Sequence, residues 1–146
     1  PELPLSGYCD RSKFKIYLID TGILGAMLNI SSDVLIHPNE LFLKYNGAFV
    51  ENYVAQSLST AGQSELFYWT SKSDAEVDFV LEINNNIIPV EVKSGTSKNL
   101  KSLKSYVDKF NPTIHVRYSP RNYEKSGQFH NIPLYYSLLV KLDRLL

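Results

Sequence analysis

The sequence lacks several features that would assign a protein of 146 residues to a special class. The single cysteine, Cys9, cannot form an intramolecular disulfide, and there is neither a signal peptide nor an apolar run of about 18 residues. We therefore expect a soluble cytoplasmic chain that does not enter a membrane. The three histidines, His37, His115 and His130, have no Cys or His neighbour at ligand spacing, which argues against a zinc site.

Net charge is also absent. Fifteen basic side chains balance 15 acidic ones, so any nucleic-acid surface must be local. The hydrophobic fraction of 44% is ordinary for a globular protein, and the length fits one domain with a real core. The chain has no internal repeat and no glycine-rich phosphate loop of the form GxxxxGKS/T. ATP hydrolysis therefore cannot be assigned to it.

Local patterns predict a mixed order of helices and strands. They predict strands at 13–20, 65–71 and 113–119, a β-hairpin within 75–95, and helices at 23–29, 40–62, 98–110 and 131–146. Asn39 and Asp20 are candidate N-caps, and Asn46-Gly47 could split the second helix in two. This order predicts an α/β sandwich around one mixed sheet, as a single domain 1–146. Within it we expect an N-terminal extension (1–38), a core (39–119), and a C-terminal segment with a closing helix (120–146).

The predicted hairpin, "AEVDFVLEINNNIIPVEVKSG", carries unusual charge among apolar residues. A two-residue turn at Asn84-Asn85 would pair residues whose numbers sum to 169. Val77, Phe79 and Leu81 then form an apolar face with their partners on the second strand. The other face sets Asp78 opposite Glu91 and Glu76 opposite Lys93. Like charges directly opposite each other are destabilising, so we expect a positive group there, either Lys93 or a divalent cation.

A third acid is predicted on the helix upstream. At 100° per residue, Glu51 lies in the apolar sector of that helix, while Asn52, Gln56 and Ser59 point away from it. An ionised carboxylate without a partner on the buried side would cost several kcal/mol. We therefore expect a cation or a set of hydrogen-bond donors to meet Glu51, with Lys93 and a bound metal as the candidates.

These residues resemble the motif of the PD-(D/E)XK nuclease superfamily, in which a helical glutamate precedes an aspartate and a Glu-x-Lys strand. The segments "YLIDTGIL", "NGAFVENYVAQSL", "LFYWTSKSDAEVDFVLE", "IIPVEVKSG" and "LKSYVDKF" are more closely similar to a domain of unknown function. That domain follows the AAA-type ATPase module in many prokaryotic predicted ATPases. The resemblance covers the chain from about Lys13 onward and implies a restriction-endonuclease-like core. It also implies that the chain is the C-terminal part of a longer ATPase.

The resemblance implies roles for particular residues. Asp78, Glu91 and the main-chain carbonyl of Val92 would hold Mg²⁺ or Mn²⁺, and Lys93 would position the attacking water or stabilise developing charge. Glu51 would be an orienting or second-metal carboxylate. Glu76 lies outside the minimal motif, and we expect it to pair with Lys93 or Lys72.

A basic ridge on the following helix has two interpretations. Lys98, Lys101 and Lys104 could contact the phosphates of DNA or RNA, or could simply form a solvated helix face. The "IDTG" tetrapeptide at Asp20 resembles the aspartic-protease triplet, but a lone copy more often marks a strand end, with Asp20 capping the helix that follows.

Two function classes are therefore expected. In the first, the domain is a Mg²⁺-dependent nuclease, driven or gated by the ATPase module of the same chain. In the second, it keeps the nuclease fold without activity and serves as a nucleic-acid-binding, protein-binding or regulatory module. The complete set of two acids and a lysine favours the first class. The neutral overall charge favours the second, because nucleases generally need a steering field.

Overall fold

The structure is a computed structural model that describes residues 1–31, 33–34, 40–72 and 74–146, apart from the side chains of residues 40–45. The helices are α1 (Thr21–Met27), α2 (Glu40–Thr60) and α3 (Lys101–Phe110). The strands are β1 (Phe67–Thr70), β2 (Glu76–Ile83), β3 (Asn86–Val92), β4 (His115–Ser119), β5 (Glu124–Ser126) and β6 (Phe129–Pro133). Short 3-10 turns cover Leu5–Gly7, Leu134–Tyr136 and Leu142–Leu145.

The six strands form one mixed sheet in the order β1-β2-β3-β4-β6-β5. Strands β1, β2 and β3 are antiparallel neighbours, β4 runs parallel to β3, and β6 runs parallel to β4. Parallel neighbours need a crossover connection, and α3 supplies it between β3 and β4. The predicted mixed α/β class is confirmed.

The two longer helices bury opposite faces of this sheet. Val54 and Leu58 of α2 belong to the larger apolar cluster, together with Phe79, Leu81 and Val90. The smaller cluster lies under α3, where Leu103 and Tyr106 pack with Val77 and Val80. Trp69 of β1 meets the Tyr106 and Phe110 rings edge-on at centroid distances of 5.3 and 5.9 Å. Each face of the sheet therefore has its own core.

Several predicted elements are confirmed. Helix α1 begins after Asp20, whose side chain accepts a hydrogen bond from the Ile23 amide at 3.1 Å, as expected of an N-cap. Strands β1 and β4 and helix α3 lie within their predicted ranges. Helix α2 runs without a break through Asn46 and Gly47, so the expected split does not occur. The predicted cap Asn39 lies outside the described residues.

Two predicted elements are wrong. Residues 13–20 form no regular strand; this arm lies on α2, and the main chain of Leu18 bonds to the Asn52 side chain instead of a neighbouring strand. The predicted closing helix is strand β6 followed by 3-10 turns, because residues 129–133 pair with both β4 and β5. Tertiary pairing outweighs the local helical pattern of this segment. The sheet therefore extends beyond residue 119.

Candidate functional site

The site is built on the β2–β3 hairpin, whose predicted register is confirmed over its apolar part. Phe79 pairs with Val90 and Leu81 pairs with Ile88, and these pairs have the expected sum of 169. Asn84 and Asn85 form the turn with φ angles of 48° and 61°. Asn tolerates this left-handed region better than most residues, which is why the two asparagines mark the turn.

A β-bulge changes the hairpin where the charged residues begin. Phe67 of β1 pairs with Val80, but Trp69 pairs with Val77, so two steps along β1 correspond to three along β2. The extra residue moves Val77 into the cluster under α3, while Phe79 packs under α2. Our prediction that Val77 shares the face of Phe79 is therefore wrong. Bulges often redirect a side chain beside a functional site, and this one lies next to Asp78.

Asp78 lies at the bulge with its carboxylate in an unusual position. Its Oδ2 accepts a hydrogen bond from the main-chain amide of Val92 at 2.7 Å, so the side chain takes the place of a backbone acceptor between the two strands. Burial and the neighbouring Glu91 charge raise the pKa of Asp78 to about 7, against the opposing effect of this hydrogen bond. Asp78 and Glu91 therefore repel each other when both are ionised.

Glu91 is the most deeply buried acid of the site. Its side chain is 4% exposed and lies between Val90 and Val92, two residues whose side chains face α2. Lys93 contacts Glu91 Oε1 at 2.5 Å, whereas Glu91 Oε2 is buried and has no hydrogen-bond partner among the described residues. Burial raises the pKa of Glu91 even though Lys93 opposes the shift. One carboxylate oxygen of Glu91 is thus buried without a donor from the described part of the chain.

Glu51 is met by a cation and a donor from the arm. Lys15 Nζ lies 2.9 Å from Glu51 Oε1, and the Tyr17 hydroxyl donates to the same oxygen at 2.6 Å. The prediction that a cation or a set of donors meets Glu51 is therefore confirmed, but the cation is Lys15 and not Lys93. This hydrogen bond and burial raise the pKa of Tyr17, with burial the larger cause.

The ion-pair partner of Glu76 and the burial of Asn52 also differ from expectation, because both residues contact the arm. Glu76 Oε1 contacts Lys15 Nζ at 2.5 Å instead of pairing with Lys93 or Lys72. Asn52, predicted to point to solvent, is 4% exposed because the arm covers it. The Asn52 amide accepts from the Leu18 amide at 2.8 Å and donates to the Leu18 carbonyl at 3.1 Å. The arm therefore contacts α2 at Asn52 as well as at Glu51.

The residues of the acid cluster that sequence reasoning missed are Lys15 and Tyr17. The available signal was the alternation of Lys13, Lys15 and Tyr17 with Phe14 and Ile16, which was interpreted as a strand. In the structure Phe14 and Ile16 are exposed while Lys15 and Tyr17 are partly buried against the acids. Polarity alone would have assigned the opposite burial to these side chains.

The remaining predicted site residues lie around this cluster. Val92 pairs with Tyr118 of β4 at the end of β3, next to both acids. Lys98, Lys101 and Lys104 are exposed, as either interpretation of the basic ridge requires. Within residues 1–31, 33–34, 40–72 and 74–146, no three His, Cys, Asp or Glu side chains are grouped so that they could hold a metal ion. Asp78 and Glu91 are neighbours in this cluster, but no third acidic side chain of the described residues completes a metal-binding group with them.

A cleft of about 700 Å³ opens beside the acids. It lies between the arm and strand β1, and it is lined by Arg11, Lys13, Lys15, Tyr68 and Asp78, among others. Lys15 Nζ also lies over the Tyr68 ring, 5.2 Å from its centroid. Basic and aromatic side chains therefore border the approach to Asp78 from this side.

The chain is similar to proteins of two mycobacterial species. Over 101 residues it is 29% identical to "Uncharacterized protein Rv2008c" of Mycobacterium tuberculosis and to "Uncharacterized protein Mb2031c" of Mycobacterium bovis. Each match covers 68% of this chain and 22% of the relative, so the chain spans about a fifth of the length of these relatives. No solved structure matches it. None of the described helices is long and apolar enough to cross a bilayer.

The family comparison covers more than half of the chain. Residues 46–136 match the family described as "Domain of unknown function (DUF4143)". Glu51, Asp78, Glu91 and Lys93 lie within the match, whereas Lys15 and Tyr17 of the arm lie before it. With this extent of match, the chain belongs to the DUF4143 family.

Proposed function

We propose that this domain is a Mg²⁺- or Mn²⁺-dependent phosphodiesterase of the PD-(D/E)XK nuclease type that cleaves DNA. Asp78, Glu91 and the main-chain carbonyl of Val92 would hold the metal ion. Lys93 would be the catalytic lysine. The proposal rests on the resemblance of the hairpin and of α2 to this superfamily, together with the geometry of the acid pair.

One observation carries the proposal. Burial and, second to it, the Glu91 charge raise the pKa of Asp78 to about 7, while Glu91 Oε2 is buried without a hydrogen-bond partner among the described residues. A buried acceptor with no donor costs free energy, so a structural ion-pair network would not be expected to leave one. A divalent cation would supply the missing positive charge and the missing contact.

The donor chemistry fits Mg²⁺ and Mn²⁺. Both ions prefer oxygen ligands, and Mg²⁺ in enzymes is commonly held by one or two carboxylates, with water and substrate phosphate completing its shell. Two carboxylates and one carbonyl are consistent with such a partial shell. The lack of a third acidic ligand among the described residues therefore does not argue against this kind of site.

The residues of this chain would share the hydrolysis as follows. When bound, the metal ion would neutralise phosphate charge and acidify a water molecule. Lys93 is 35% exposed and held by Glu91, so its ammonium could orient the attacking water or stabilise charge on the phosphate oxygens. The water would release a proton to solvent as its oxygen bonds to phosphorus, the P–O bond to the leaving group would break, and the leaving oxygen would take a proton from solvent.

The cleft between the arm and β1 suggests how a nucleic acid would approach. Arg11 and Lys13 line it near Asp78, and cations along a groove attract the phosphate backbone. The exposed ridge of Lys98, Lys101 and Lys104 is a second candidate for phosphate contact. These local patches would provide the attraction that a molecule with equal numbers of acidic and basic side chains lacks overall.

We also propose that the domain operates within a longer chain that carries an ATPase module. The support is the resemblance to the domain that follows AAA-type ATPases and the length of the mycobacterial relatives, of which the match covers 22%. In this arrangement ATP hydrolysis elsewhere in the chain would drive or gate the nuclease domain.

A second candidate function is a nuclease-fold domain without activity that binds nucleic acid or protein. The observation that favours it is the engagement of Glu51 by Lys15 and Tyr17, which takes one acid of the motif out of reach of a metal. The overall neutral charge also favours it.

A metal titration with a plasmid-nicking assay tests the proposal. Mn²⁺ and Mg²⁺ are added to the parent protein and to the Lys93→Ala variant, and conversion of supercoiled plasmid is followed. We expect metal-dependent nicking by the parent and a rate lower by roughly 100-fold or more in Lys93→Ala, because the removed charge acts on the transition state.

Lys125→Ala is the matched control, because Lys125 is an exposed lysine on edge strand β5. It should retain the parent rate. Metal binding to the parent without nicking would favour the binding-domain alternative. The absence of both metal binding and nicking would contradict the nuclease proposal.

A further inference from the structure

Lys15 forms the densest set of charged contacts in the site. Its Nζ lies between Glu51 of α2 and Glu76 of β2, at 2.9 and 2.5 Å from their Oε1 atoms. The Lys15 side chain is 22% exposed, and Glu51 is 25% exposed. Ion pairs screened from water in this way are stronger than surface pairs, so Lys15 is a fixed cation of the cluster.

The position of Lys15 is set by the arm and not only by its own charge. Three residues later, the Leu18 main chain makes two hydrogen bonds with Asn52 of α2. Between them, the Tyr17 ring packs 5.5 Å from the Phe79 ring while its hydroxyl bonds to Glu51. The arm therefore holds the ammonium group in place through contacts that do not depend on its charge.

The four carboxylates of the cluster differ in the lysine that they contact. Lys15 contacts Glu51 and Glu76, and its charge also acts on Asp78 and Glu91. Lys93 contacts only one oxygen of Glu91. Four carboxylates with two ammonium groups leave two negative charges if all are ionised, which is the charge of one divalent ion and not of two.

We propose that Lys15 stands in place of a second metal ion, so that the site takes a single divalent cation, between Asp78 and Glu91. This inference rests on the proposed function. Two-metal nucleases place their ions about 4 Å apart and share carboxylates between them. Here the acids that a second ion would need already hold Lys15, and an ammonium group beside them repels another cation. Lys15 is thus a positioning residue that sets the number of metal ions.

Counting bound Mn²⁺ tests this inference without using activity. Isothermal titration is performed on the parent protein, Lys15→Met, Lys15→Arg and the double variant Lys15→Met/Glu51→Gln. We expect one ion in the parent and in Lys15→Arg, which keeps the charge. Lys15→Met should take up a second, weaker ion through the freed Glu51 and Glu76, and the double variant should return to one.

A second measurement uses only the parent protein and so does not depend on the folding of a variant. At saturating Mn²⁺, electron paramagnetic resonance should show isolated ions, and the signal of a coupled pair would overturn the inference. A single ion in folded Lys15→Met would overturn it as well. No Mn²⁺ bound by either the parent or Lys15→Met would instead overturn the metal site of the proposed function.

Discussion

The acid cluster and a polar network around Asn131 on β4 and β6 differ in how completely their buried polar groups are hydrogen-bonded. Asn131 is fully buried, and its Oδ1 accepts from Arg117 Nε at 2.6 Å and from the Ser119 hydroxyl at 2.7 Å. Its Nδ2 donates to the main-chain carbonyls of Arg121 and Asn122. All four hydrogen-bonding positions of the amide are used. In the acid cluster, by contrast, Glu91 Oε2 has no partner in the part of the chain that the structure describes, and Asp78 is repelled by an ionised Glu91.

This difference separates a structural polar group from a group available to a ligand. A buried amide whose four hydrogen-bonding positions are all used stabilises one arrangement of the chain, and the Arg117 guanidinium lies over the Phe129 ring at 5.3 Å from its centroid. A cluster with like charges and a free buried acceptor stores unfavourable free energy in the absence of a ligand. Such local violations of good packing are expected where a protein binds or reacts. The comparison therefore supports the acid pair, and not the polar network on β4 and β6, as the functional site.

The largest effect that would test this contrast is the pH dependence from Asp78. Because burial and Glu91 raise its folded-state pKa from 3.8 to about 7, the folded state binds a proton more readily than the unfolded state. The contribution of Asp78 to stability is therefore fully present below pH 4 and is lost as the pH rises to above 7. The loss is at most about 4 kcal/mol.

Urea unfolding of the parent and of Asp78→Asn, measured between pH 4 and pH 8, isolates this contribution. An asparagine oxygen can still accept from the Val92 amide. The stability of the parent relative to the variant should fall with rising pH, so that Asp78→Asn is the more stable protein at pH 8. A difference that stays constant or grows with pH would mean that Asp78 is stabilised as an ion, as in a structural salt bridge.

The next effect comes from the satisfied network. Asn131→Ala removes one partner from Arg117, Ser119 and two main-chain carbonyls at a position with no exposure, and should cost roughly 3 kcal/mol or more. Thermal or urea unfolding at pH 7 measures this loss. The control is Asn122→Ala, an exposed asparagine nearby, which should change stability by less than about 0.5 kcal/mol. Equal effects in the two variants would remove the structural role that we assign to the network.

The smallest expected effect on stability concerns the arm, residues 13–20. Tyr17→Phe removes the hydroxyl that donates to Glu51 but leaves Lys15 on the same carboxylate, so a loss of about 1 kcal/mol is expected. Tyr135→Phe serves as the control because Tyr135 is 73% exposed. If Tyr17→Phe matches this control in unfolding experiments, the hydrogen bond from Tyr17 to Glu51 does not contribute to the stability of the folded domain.

The hairpin shows how far local sequence patterns carry a structural prediction. Alternation of apolar residues and the Asn84-Asn85 turn predict the register, and the pairing of Phe79 with Val90 confirms it. The same alternation fails at Val77, because the bulge arises from pairing with β1 and not from the hairpin itself. Periodicity describes neighbours in the chain, and β1 lies outside that range.

The C-terminal segment shows the complementary failure. The sequence of residues 131–146 has the composition of a helix with a proline in its first turn, yet residues 129–133 form a buried strand. These residues pair with the short exposed strand β5 and with β4. In β4 the partner of Asn131 is Arg117, which lies 14 residues earlier in the chain. An extended segment between β4 and β5 forms hydrogen bonds with the backbone groups of both strands, whereas a helix at this position would leave those groups of the two strands unpaired.

Local sequence patterns were sufficient to predict the α/β class, the hairpin register, and the unusual charges Glu51, Asp78, Glu91 and Lys93. These follow from local periodicity, turn chemistry and the cost of burying charge, all of which depend on residues close in the chain. Three sets of contacts could be found only in the folded chain: Lys15 with Glu51 and Glu76, the Val92 amide with Asp78, and Asn131 with its buried partners. These contacts depend on the path of the chain, because Lys15 and Glu51 are 36 residues apart and no local pattern relates them.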